Sequence, residues 1–111
     1  MHWRKQRGQR AEQWALRWLR GQGLTPEVAN YQCRLGEVDL IMNHGETLVF
    51  VEVRWRGETD YGGALASVDT RKQRRLILAA RHYLGRHPHQ ARRPCRFDVL
   101  GLEPDDGGTV R

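Results

Sequence analysis

Cysteine, lysine and long apolar runs are all scarce in this chain of 111 residues, and each scarcity excludes something. Cys33 and Cys95 are too few for a disulfide scaffold, and they lack the CxxC spacing of zinc or redox sites. Both are expected to be reduced and half-buried. No apolar run approaches the roughly 20 residues that cross a bilayer. The basic start "MHWRKQRGQR" leads into "AEQWALRWLRGQGL", which charges interrupt too often for a signal-peptide core. The expectation is a cytoplasmic protein with no membrane association. Repeats and linkers are missing too, so residues 1–111 are expected to form one domain. Its core spans about 8–102, and 103–111 is a loose tail. Pro88 makes His87–His89 a loop rather than a metal site.

Charge is plentiful and unevenly placed. Arg4, Lys5, Arg7, Arg10, Arg17 and Arg20 crowd the first 20 residues against one acid, Glu12. Residues 71–96 hold nine more cations, Arg71, Lys72, Arg74 and Arg75 among them, and no acid. These two segments carry 15 of the 19 basic residues, while most acids lie between them. Clustered cations gain from displacing the counterions around phosphates, so nucleic acid is the expected partner. A solvated basic surface is the plainer reading, since arginine heavily outnumbers lysine.

Periodicity gives the elements. Ala11, Trp14, Ala15, Trp18 and Leu19 recur as on one face of a helix, and Gly21 and Gly23 stop it. Trp14 and Trp18 are expected in the core; Trp3 and Trp55 stay open. Residues 26–34 are a strand near an edge, given Pro26. Residues 37–43 and 47–55 are two strands joined through His44-Gly45. A Gly-containing loop leads to a second helix capped by Ser67 or Asp69, with Leu76, Ile77, Ala80, Tyr83 and Leu84 as its apolar stripe. Residues 95–102 are the last strand, where Asp98 is expected to pair with Arg96 or a helix arginine. The order is αβββαβ.

The hairpin raises a question, because Glu37, Asp39, Glu52 and Arg54 interrupt its most apolar sequence, "GEVDLIMNHGETLVFVEVRWR". With a His44-Gly45 turn, Glu37 faces Glu52, Asp39 faces Phe50 and Ile41 faces Leu48. Alternation then puts Glu37, Asp39, Glu52 and Arg54 on one side of the sheet. Asp39 and Glu52 become diagonal neighbours about 7 to 8 Å apart. Opposed acids destabilise a sheet unless a cation or nearby arginines compensate. A merely solvated face is the alternative, but Ile41, Leu48 and Phe50 share that face and argue against it.

Asp on one strand, then an acid two residues before a basic residue on the next, with Glu on a preceding helix, resembles the PD-(D/E)XK nuclease superfamily. "GEVDLI", "VFVEVRWR", "SVDTRKQRRLILAARHYL" and "CRFDVL" more closely resemble the bacterial YraN family, from about Gly8 to Leu102. The resemblance implies an α/β fold with a mixed central sheet flanked by helices. That is the restriction-endonuclease-like type, similar to archaeal Holliday-junction resolvases and the tRNA-endonuclease-like domain. It also implies that Asp39 and Glu52 hold Mg²⁺ or Mn²⁺, with Glu12 completing the metal site. Arg54 takes the motif's basic position, and Glu37 and Lys72 match further favoured positions. Glu12 could instead simply pair with neighbouring arginines, which stabilises little.

Such a site hydrolyses phosphodiesters by activating water and neutralising charge on the phosphate. Arg54 departs from the usual lysine: it keeps the charge but cannot act as a base. Lys72 is a candidate to supply the ammonium instead. Three functions follow as expectations. The first is a metal-dependent nuclease for structured or branched nucleic acid, with Asp39, Glu52 and Arg54 catalytic and Arg7, Arg10, Arg71, Arg74 and Arg75 holding the backbone. The second is a catalytically silent nucleic-acid-binding module, and the third a protein-interaction adaptor for an acidic partner. A homodimer is left open.

Overall fold

The computed structural model describes residues 2–55 and 68–102, with side chains from Arg10 to Arg54 and from Val68 to Leu102. Trp3 and Trp55 side chains, Ser67, the loop before it and the tail after 102 lie outside the described residues. Helix α1 (His2–Gly21) comes first, then strands β1 (Thr25–Cys33), β2 (Gly36–His44) and β3 (Thr47–Trp55). Helix α2 (Thr70–Arg86), a 3-10 turn (Gln90–Arg92) and strand β4 (Cys95–Leu102) complete the order. This is the expected αβββαβ arrangement. β1, β2 and β3 form an antiparallel meander, and β4 lies parallel to β3.

A helix covers each face of the sheet, so the central strands are buried on both sides and read as nearly continuous apolar runs. Leu40, Met42, Val49 and Val51 pack with Ala15 and Leu19 of α1. Val38, Ile41, Leu48 and Phe50 pack with Leu76, Ala79, Ala80 and Tyr83 of α2. Small residues at Ala11 and Ala15 form the buried stripe of α1. The tryptophans therefore flank the contact: Trp18 is 43% exposed and Trp14 half-buried, which corrects the expectation that both are core. Leu24 N–H bonds to the Leu19 carbonyl and Gly23 N–H to that of Arg20, a Schellman ending that turns the chain into β1.

Asp69 caps α2, its Oδ1 accepting the Lys72 N–H at 2.8 Å. Ile77 is 40% exposed, contrary to the expected stripe, because α2 buries Leu76, Ala79, Ala80 and Tyr83 and turns Ile77 towards the uncovered end of the sheet. Cys33 is half-buried as expected; Cys95, on the edge strand, is exposed. Arg93 anchors the 3-10 turn to the hairpin, donating to Asn43 Oδ1 at 2.8 Å and to the Glu46 and Thr47 carbonyls.

The hairpin register differs from the expectation by two residues. His44 pairs with Thr47 and Ile41 with Phe50, so Gly45 and Glu46 form the turn, with Gly45 at φ 61. Glu37 therefore does not face Glu52, nor Asp39 Phe50. A shift of two preserves which side each β3 residue takes. Alternation does break once within β2: Val38 packs under α2, Leu40 under α1 and Ile41 under α2 again. The neighbouring strand breaks at the same level, where Asn30 adopts φ 55 and Val28 and Tyr31 both pack beneath α2. Asp39 stands at this crossing.

Candidate active site

The β2–β3 ladder stops at Leu40 opposite Val51. Beyond it a side chain replaces the strand: Asp39 Oδ2 accepts the Val53 N–H at 2.7 Å. A cavity of about 160 Å³ opens there, lined by Ala11 and Glu12 of α1, Glu37 and Asp39 of β2, Glu52, Val53 and Arg54 of β3, and Lys72 of α2. The acids thus gather at a fork between the two helices, where the sequence suggested a single open face.

Glu52 is the centre of this fork. It is only 1% exposed, and among the described residues no N–H donor reaches its Oε1. Its Oε2 lies 3.4 Å from Lys72 Nζ and 3.5 Å from Arg54 Nη1. Lys72 Nζ also stands 3.5 Å from Glu37 Oε1. Four carboxyls therefore share the cavity with two cations. Burial, then the charge of Asp39 and a hydrogen bond with it, push Glu52 up to about 7 against the pull of Lys72 and Arg54. Burial also raises Asp39, although the Val53 N–H and Lys72 oppose this. Glu12 is pushed up to about 7 by burial, Asp39 and Glu37, and is eased by a hydrogen bond from Asn30. Neighbouring carboxyls withdrawn from water hold protons more firmly than either would alone.

An all-oxygen set with an unpartnered buried carboxylate oxygen suits a hard divalent cation such as Mg²⁺ or Mn²⁺. Among the described residues, no three ligating side chains are gathered closely enough to hold an ion as they stand. Lys72 sits between Glu37 and Glu52, and Asp39 is engaged by the main chain.

Arg71, Arg74 and Arg75 are exposed on the turns of α2 that carry Lys72, and Arg10 is exposed on α1 before Glu12. Arg7 belongs to α1, its side chain outside the described residues. Arg96 Nε pairs with Asp98 Oδ2 at 3.1 Å, the structural contact expected of Asp98. Asn30 was missed by the sequence reading. Its signal was an asparagine inside a strand pattern, where that residue is depleted and where a left-handed kink is tolerated.

Sheet order, flanking helices and an acidic fork at the end of the central hairpin define an α/β protein of the restriction-endonuclease-like type. The model of the uncharacterised protein family UPF0102 matches residues 11–102, and the chain belongs to this family, the YraN family to which the motifs pointed. It is 62% identical to a UPF0102 protein of Alcanivorax borkumensis over 107 residues, covering 96% of this chain and 86% of the relative. A UPF0102 protein of Aeromonas hydrophila is 56% identical over 106 residues, covering 95% and 82%. One from Nitrosococcus oceani is 48% identical over 103 residues, covering 93% and 83%.

Proposed function

We propose that the protein is a metal-dependent nuclease that cleaves phosphodiester bonds in structured or branched nucleic acid at the acidic fork. The observation that carries this reading is Glu52, a carboxyl removed from water with one oxygen unpartnered beside a second acid. Such an arrangement is unfavourable for the fold alone and useful for holding a cation. Asp39 and Glu52 would hold Mg²⁺ or Mn²⁺, with Glu12 and Glu37 at the rim. The ion, when bound, polarises a phosphate oxygen and acidifies a water. Lys72 and Arg54 bring positive charge to the phosphate as negative charge develops on it. Lys72 supplies the compact ammonium that the motif usually places where Arg54 stands. The arginines of α1 and α2 hold the flanking backbone.

A binding-only role is the second reading. Lys72 and Arg54 already neutralise Glu52 without a metal, which favours it. One experiment separates them: incubation of branched, single-stranded and duplex substrates with Mg²⁺ or Mn²⁺, using wild type and Glu52→Ala. Metal-dependent cutting lost in the variant is the expected result. Retention of nucleic acid without cutting under any of these conditions supports the silent module, and equal cutting by Glu52→Ala removes the site altogether.

A further inference from the structure

β4 ends the sheet, and among the described residues no strand pairs with its outer edge. Phe97 and Val99 of β4 are 46% and 38% exposed. With Val68, Gln73, Leu76 and Ile77 they line an apolar groove of about 470 Å³. α2 lies over β2 and β1, so among the described residues no helix covers this end of the sheet on that face.

We propose that β4 is a self-complementary strand through which two copies of this chain join edge to edge, antiparallel, about a two-fold axis at Phe97. Backbone parity limits the choices. The Pro94 carbonyl accepts the Leu48 N–H at 2.8 Å, so the even-numbered residues here direct their main-chain groups to β3. Cys95, Phe97, Val99 and Gly101 direct theirs outward, free for a new antiparallel neighbour.

Four two-fold registers keep the middle of the strand paired. Centring on Arg96 or on Asp98 sets that charge against its own copy, which is destabilising. Centring on Val99 places Arg96 opposite Leu102 and Asp98 opposite Leu100. Centring on Phe97 sets Arg96 of each copy opposite Asp98 of the other, Phe97 opposite Phe97 and Cys95 opposite Val99. Only this register pairs every charge with its opposite, and symmetry does so twice. Arg96 and Asp98 already meet at 3.1 Å within one strand, with side chains 41% and 37% exposed, so both can turn to a neighbour. The axis stands perpendicular to the sheet, so the exposed Phe97 rings meet on the face that α2 leaves bare. The proposal is independent of the nuclease reading.

Sedimentation velocity over a concentration series tests it. The wild type is expected to dimerise, and Asp98→Arg to weaken the dimer about tenfold or more by opposing like charges. Combining Arg96→Asp with Asp98→Arg exchanges the pair and is expected to restore it. A cross-link stands independently of those variants. With Cys33 and Cys95 replaced by Ser, Phe97→Cys is expected to close an intermolecular disulfide on oxidation, since hydrogen-bonded partners lie about 5.5 Å apart at Cα. Val99→Cys, which faces residue 95, is not. A monomeric wild type throughout the series, an unweakened Asp98→Arg dimer, or cross-linking at 99 in preference to 97 would each overturn the proposal. So would a wild type that stays monomeric and takes another protein on this edge.

Discussion

Glu52 holds its proton to about pH 7, and losing it costs the fold stability. Unfolded, Glu52 and Glu12 titrate near 4.5; folded, both are pushed up to about 7. Between those values the folded state binds more protons, so stability falls as pH rises through the window and levels off above it. Thermal melts from pH 4.5 to 8 are expected to show this decline. Glu52→Gln should flatten much of it and melt above wild type at pH 8, with little difference at pH 4.5, leaving a residual slope from Glu12. A variant less stable than wild type at pH 8 would mean that the ion pairs of Lys72 and Arg54 outweigh the burial. Lys72→Met should act oppositely, lowering the melting temperature more at pH 8 than at pH 4.5, because it takes a cation from a buried carboxylate. If the fork holds a divalent cation, Mn²⁺ at pH 8 should raise the melting temperature of wild type and not of Glu52→Gln.

Between elements, Gly36 governs how closely α2 approaches the start of β2. A Cβ there would meet the Arg75 carbonyl oxygen at 2.2 Å, a backbone atom that cannot swing aside. Gly36→Ala is expected to destabilise the fold by about 1–3 kcal/mol, as overpacking does. The same displacement carries Lys72, nearly one turn before Arg75, away from Glu52. Carboxyl chemical shifts should then report Glu52 titrating above its wild-type midpoint; an unmoved midpoint would show that α2 yields elsewhere. The elements themselves were legible, since alternation and helical periodicity follow from burial on two faces. The hairpin slip of two residues was harmless, because parity survives an even shift and the β3 acid stays on its side. The kink at Asn30 and Asp39 was marked only by an asparagine within a strand, because a single left-handed residue leaves the hydrophobic pattern almost unchanged. That kink turns an expected face into a fork and lets Glu12 approach Asp39. Trp18 and Ile77 misled for a related reason: apolar spacing marks a stripe about three residues wide, and contact with the sheet uses only its middle.

Across the whole molecule, four acids gather in the fork between the helices while exposed arginines line α1 and α2. Charge segregation was plain in the sequence, but the work of each arginine was not. Arg93 is engaged with hairpin carbonyls and Arg96 with Asp98, so the basic run of residues 71–96 does not act as one surface. Arg71, Arg74 and Arg75 remain exposed on the turns of α2 whose Lys72 enters the fork, with Arg74 lining a separate cleft beside Ile77 and Arg81. A polyanion lying across these three residues would bring a phosphate to Lys72 and Arg54. Binding should then weaken steeply with salt, because each neutralised phosphate releases counterions. Reversing Arg71, Arg74 and Arg75 to Glu should weaken binding to every sequence alike, since backbone contacts carry no base information. It should also reduce the slope of log affinity against log salt by about 2 to 3, near 0.9 per duplex phosphate contact. Reversing the engaged Arg93 should instead lower thermal stability by loosening the 3-10 turn, with a smaller change in salt slope. Equal slopes for wild type and the triple variant would place the nucleic acid on another surface, and the fork would then need a different substrate.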